Sequence, residues 1–184
     1  EGTRRDGVWT RAERIDASGK FAVSVQVVDQ VFSAWPARFT RSALRPQDAE
    51  GYIERGNSHL AMEEVQDALN DAGRAIQLNP KLAAPYSLRG AVLRKLGRYP
   101  EAVKDLTQAV QLSPDMDNYF QLGAAYQEIG DDNQAIENFN QVISFDPLSS
   151  QPYYARAKSY RAVGDMVSAQ RDHRLGRILD GAVE

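Results

Sequence analysis

Acid–base or metal chemistry in this chain would have to start from two histidines, His59 and His173, since there is no cysteine to serve as nucleophile, thiolate ligand or disulfide. Gly19-Lys20 lacks the preceding glycine and the following Ser or Thr of a phosphate-binding loop. The run from Gly56 to Leu60 holds Ser58 but lacks the second glycine of a nucleophile elbow. The acidic doublets Glu63-Glu64 and Asp131-Asp132 suit turns and helix starts, and to exchange protons with a substrate they would need a pocket that a surface turn does not offer. No catalytic, cofactor-binding or metal-ligating set emerges, and we expect a chain that is not an enzyme.

The elements that would position any site are set by composition and spacing. The 184 residues are 42% hydrophobic, enough for a core, and 22 Lys and Arg against 25 Asp and Glu leave a net charge of -3. No basic stripe for phosphate contacts follows, so no nucleic acid partner is expected. The most apolar stretch, residues 21–28, is far shorter than a membrane span and is broken by Ser24 and Gln26. Lack of cysteine suits cytoplasm and periplasm alike, so the compartment stays open. Glu1 in place of an initiating Met leads us to expect that something upstream was removed, whether a signal peptide, a tag or a preceding domain.

Self-similarity decides the architecture. Pro80, Pro114 and Pro147 stand 34 and 33 residues apart, and Tyr52, Tyr86, Tyr119 and Tyr153 keep the same rhythm. Two more columns agree: Gly56, Gly90, Gly123 and Ala157, and Ala68, Ala102, Ala135 and Ala169. Within a unit, Tyr119, Gly123 and Tyr126 put large and small side chains on one helical face, where the small one lets a neighbouring helix approach. Gly97, Gly130 and Gly164 fall where a first helix should stop in the left-handed conformation. Tyr99-Pro100-Glu101 and Gly130-Asp131-Asp132 restart the chain. Asn79, Ser113 and Asp146, each before a proline, close the second helices.

These columns resemble the tetratricopeptide repeat over residues 49 to about 180. The resemblance implies an all-α, right-handed superhelical solenoid of antiparallel helix pairs, with units at 49–82, 83–115, 116–149 and 150–184. The end units depart from the pattern: the first has Glu63 at the turn glycine, and the fourth has Ala157, His173 at an aromatic position and no final proline. In such an array each repeat touches only its neighbours, so His59 and His173 cannot meet on one substrate or metal.

Residues 1–48 form an accessory segment with two open readings. Val8 to Ile15 and Phe21 to Val27 flank a turn-rich run from Asp16 to Lys20, and the alternation of Phe21, Val23, Val25 and Val27 reads as a short N-terminal β-hairpin. The rival is a degenerate repeat, because Phe21, Val25, Val28, Phe32 and Trp35 also make a helical stripe and Ala34, Leu44 and Pro46 lie one period before Ala68, Leu78 and Pro80. Either way, 48 residues are too few to build a separate active site.

The family's geometry implies a concave groove lined by the first helices, and here it would carry Ile53, Asn57, Ser87, Leu88, Ala91, Phe120, Gln121, Ala124, Tyr154 and Lys158. Relatives that grip acidic chaperone tails use a clamp of Lys, Asn and Arg. Laid onto this chain that clamp becomes Ile53, Asn57, Leu88, Asp117 and Gln121, so only Asn57 matches and carboxylate capture by it is excluded. The expected role is a non-catalytic scaffold or adaptor with a protein or peptide partner, anchored at Leu88, Phe120 and Tyr154 and oriented by Asn57, Gln121 and Lys158. The alternative is homo-oligomer assembly through an uncapped C-terminal helix presenting Leu175, Ile178 and Leu179.

Overall fold

A computed structural model describes residues 48–181 and, ahead of them, two short strands, β1 (Arg4–Arg5) and β2 (Val8–Trp9). The chain divides into two units, Glu1–Leu44 and Arg45–Glu184. In the first, β1 and β2 pair antiparallel, with Arg4 opposite Trp9 and Arg5 opposite Val8. The expected strand at Phe21–Val27 and the rival helical stripe to Trp35 lie outside the described residues.

The second unit is all helix. Its pairs are α1 (Ala49–Ala61) with α2 (Val65–Leu78), α3 (Ala84–Lys95) with α4 (Tyr99–Leu112), α5 (Met116–Ile129) with α6 (Asp132–Phe145), and α7 (Gln151–Ala162) with α8 (Met166–Leu179). Each helix packs on the next, and α1, α3, α5 and α7 also touch one another in series, forming one layer of a stacked array.

The ends of the helices follow local chemistry. Asp48, Asp115, Asp131 and Asp165 accept a hydrogen bond from the backbone N–H three residues on, capping α1, α5, α6 and α8. Asn79, Ser113 and Asp146 are extended ahead of their prolines. The turn glycines take φ of 71°, 78° and 86°, and Glu63 is forced to 62° at the matching turn of the first pair.

Close approach of the two helices in a pair needs a missing Cβ. At Gly90 an added Cβ would fall 2.5 Å from Leu106 Cγ. Ala157 stands at that position in the last repeat, and the column of Leu106 there holds the exposed His173. Two apolar clusters lie between the first three repeats: Ala68, Ala72, Leu88 and Val92, then Leu93, Ala102, Leu106, Leu122 and Ala125.

An ion pair recurs inside three of the four pairs. Arg55 donates from Nε and Nη2 to Asp71, Arg89 to Asp105 and Arg156 to Asp172, with Nε to carboxylate distances of 2.7, 2.6 and 2.6 Å. Each guanidinium lies over the tyrosine of its own repeat, Tyr52, Tyr86 and Tyr153, at 5.3 to 5.9 Å. The third repeat replaces both partners at once, with buried Leu122 for the arginine and Asn138 for the aspartate. Asn138 then donates to Gln134 O, so no buried charge is left unpaired.

Candidate functional site

The touching first helices present a common face to their surroundings, and helical geometry decides which residues share it. Ile53 and Asn57, Ser87 and Ala91, Phe120 and Ala124, and Tyr154 and Lys158 are each four apart and fall on one stripe. Leu88 and Gln121 sit one residue further round, about 100° away by the 3.6-residue turn. The stripe continues into the last turns through Arg94, Gln127 and Arg161.

Burial sorts these residues. Asn57 and Lys158 are exposed, and Ile53, Ser87, Ala91 and Ala124 are half-buried. Leu88, expected as an anchor, is only 4% exposed, packed with Ala68, Ala72 and Val92 where Gly56 leaves room for its Cδ2. It serves the core and is not available to a partner. Phe120 is half-buried against Phe139, ring centroids 5.6 Å apart. Tyr154 lies over Gly176 of α8, meets His173 edge-on at 5.5 Å and donates from its hydroxyl to Asp180 at 2.8 Å. That hydrogen bond raises the Tyr154 pKa, while bonds from Ser150 and Tyr154 lower that of Asp180. Both aromatics thus close their own helix pairs and expose only part of each ring.

Polar links cross between repeats under this stripe. Arg94 Nη1 donates to Gln121 Oε1 at 2.7 Å, so Gln121 is already engaged. Burial pushes the Arg94 guanidinium below the usual arginine range, offset only in part by Glu128 and Tyr99, and its Nε is buried without a hydrogen-bond partner. Gln127 Nε2 donates to Ala155 O and to the hydroxyl of the fully buried Ser159. Sequence reasoning named Gln121 but missed Arg94, Gln127 and Ser159, whose residue types change from one repeat to the next. It also missed the Arg–Asp pairs, although Arg55, Arg89 and Arg156 with Asp71, Asp105 and Asp172 follow the repeat period and were open to the same search.

The outer end of the array behaves differently from its interior. In the first three repeats the second helix offers the next repeat an apolar column, Leu69, Val103 and Ile136, and another, Ile76, Val110 and Ile143. In α8 those columns become Gln170 and Arg177, and the columns of Thr107 and Leu106 become Arg174 and His173. The face that would receive a fifth repeat is therefore polar and cationic. Leu175 and Ile178, expected to make it apolar, are exposed, and Leu179 is half-buried.

For metal, the nearest to a ligand set among the described residues is His59, Glu64 and Asp67, whose donor atoms lie within 4.8 Å of one another. His59 Nδ1 is bonded to Glu64 at 2.5 Å, and both carboxylates are exposed at the start of α2. One histidine and two solvated acids on a single turn make a poor ligand set compared with an enclosed site. His173 is far along the array, beside Tyr154. Among the described residues no helix is long and apolar enough to cross a membrane.

Comparison with known proteins agrees with this geometry. A family model described as tetratricopeptide repeat matches residues 81–147. DnaJ homolog subfamily C member 7 of Homo sapiens is 30% identical over 124 residues, covering 67% of this chain and 25% of its own length. The Hsp70-Hsp90 organizing protein of Triticum aestivum is 31% identical over 107 residues, covering 58% of this chain and 18% of its own. The chain thus spans a quarter or less of these curated relatives. Among solved structures, a crystal structure of MamA gives a TM-score of 0.71 at 18% identity over 88% of this chain and 97% of that one. MamA 41-end from Desulfovibrio magneticus RS-1 gives 0.70 at 21% identity, with 78% and 81% covered. At these identities the structural likeness is one of fold. Repeat spacing, helix pairing and these matches converge: over residues 49–179 the chain is a member of the tetratricopeptide-repeat family.

Proposed function

We propose that this array is a non-catalytic protein-interaction scaffold whose first-helix stripe holds a peptide segment of a protein partner. The observation that carries the reading is the low centre of the stripe: Ser87, Ala91 and Ala124 are small, neutral and half-buried, between the larger Ile53 and Phe120 and the exposed Lys158. Small residues on adjacent, touching helices leave room for a main chain, while Asn57 and Lys158 offer polar contacts at either end. Leu88 drops out as an anchor and Gln121 as a free hydrogen-bonding group, which leaves Ile53 and the open part of Phe120 as apolar contacts. Relatives named for the organisation of Hsp70 and Hsp90, and a DnaJ homolog, support a scaffold role without naming this chain's partner.

The test adds bulk where the stripe is shallow and leaves the core intact. Ala91→Glu with Ala124→Glu should abolish recovery of partners captured from the native lysate, while circular dichroism shows the helices unchanged. If the same partners are recovered by the folded double variant, the stripe is not the site. Self-assembly through α8 is the second reading, favoured by Ile178 at 59% exposure beside the exposed Leu175. A monomer by light scattering at high concentration would remove it.

A further inference from the structure

We propose that the outer end of the fourth repeat is a second binding site, specific for an acidic peptide segment of a partner protein and distinct from the low centre of the first-helix stripe at Ala91 and Ala124. A hollow of about 300 Å³ opens there between the last turn of α7 and the outward side of α8. Arg161, His173, Arg174 and Arg177 line it, with Gln170 and Met166, and no carboxylate does. Arg161 and Arg174 stand apart from the arginines that hold the fold together. Arg55, Arg89, Arg98 and Arg156 each clasp a carboxylate, and Arg74 and Arg94 each bond a glutamine. Among the described residues, Arg161 and Arg174 have neither a side-chain hydrogen bond nor an ion pair.

A terminal repeat needs a polar outer face to stay soluble, and mixed charges would meet that need at least cost. The lining of the hollow carries one sign instead. Of the acids of α8, Asp172 is fully buried against Arg156, and Asp180 at its close accepts from Tyr154. Arg161 and Arg174 repel one another across the hollow, and a bound carboxylate relieves that repulsion with charge-assisted hydrogen bonds. The net negative charge of the chain disfavours a long polyanion such as nucleic acid. Val163 and Met166 lie exposed beside the cations, so apolar side chains interspersed among the acids would also find contact.

The test is fluorescence anisotropy with labelled hexaglutamate, hexalysine and a short oligothymidylate on the folded chain. Hexaglutamate should bind, hexalysine should not, and raising salt from about 50 to about 300 mM should weaken binding roughly tenfold. Arg161→Gln with Arg174→Gln should cost about tenfold or more in affinity with helicity unchanged, while Arg74→Gln, a distant exposed arginine, leaves it intact. The proposal fails if hexaglutamate does not bind at low salt, if the folded double variant binds it as well as the parent, or if oligothymidylate binds more tightly. Loss of binding in Arg161→Gln with Arg174→Gln but not in Ala91→Glu with Ala124→Glu separates this site from the low centre of the stripe.

Discussion

Arg89 and Asp105 illustrate how a buried charge is held by one specific partner. Hydrogen bonds donated to the Asp105 carboxylate raise the Arg89 pKa against the cost of burial, as those to Asp71 do for Arg55. Asp105→Ala would leave the half-buried guanidinium without its carboxylate partner. We expect a loss of about 2 to 3 kcal/mol, below the full buried-pair penalty because the arginine side chain keeps a third of its surface exposed. Replacing both residues by what the third repeat carries, Arg89→Leu with Asp105→Asn, should return stability to within about 1 kcal/mol of the parent. Urea unfolding midpoints of the three proteins check this, and a double variant no better than the single would refute it. The residue scale was partly legible from the sequence. The Arg–Asp columns could be found by period, but whether Leu88 faced a partner or the core could not, because a one-residue step turns a side chain about 100° on a helix.

Turns and caps decide the elements, and here the sequence is at its most transparent. Gly97, Gly130 and Gly164 take the left-handed turn that their spacing demands, and only Glu63 adopts it at a steric cost. Glu63→Gly should therefore stabilise the first pair by roughly 1 kcal/mol, read as a rise in melting temperature. A fall instead would mean that this turn is held by contacts of Glu63 itself. At the other end, α8 is tied by Asp165 at its start and Asp180 at its close. Bonds from the Ser168 backbone and side chain lower the Asp165 pKa, and bonds from Ser150 and Tyr154 lower that of Asp180. Both groups are lower in the folded state, so their contribution is fully present above the ordinary carboxylate range and is lost as pH falls through their depressed values. Amide protection factors in α8 should fall on acidification below about pH 4 before those of α3 and α4, and Asp165→Asn should remove part of that difference.

Across the whole array, stability is a sum of repeats and the interfaces between them. The third and fourth repeats are joined by Gln127, which bonds Ala155 O and Ser159 Oγ, and by Arg156, whose Nη1 donates to Asn140. Gln127→Ala leaves the buried Ser159 hydroxyl without this partner, at a cost of about 1 to 2 kcal/mol. The loss should appear as early exchange of α7 and α8 while α3 and α4 stay protected; uniform loss across all eight described helices would show that the array unfolds as one unit. Over residues 49–179 the sequence by itself determined the pairing of helices, their turns and their family, because steric demands at turns and helix crossings recur with the period and write themselves into columns. Only the tertiary structure decided which first-helix residues are open, which arginines are paired and that Arg161 and Arg174 meet around one hollow at the outer end of the array. Those properties depend on what stands opposite a side chain in space, and each opposing residue lies on a different helix.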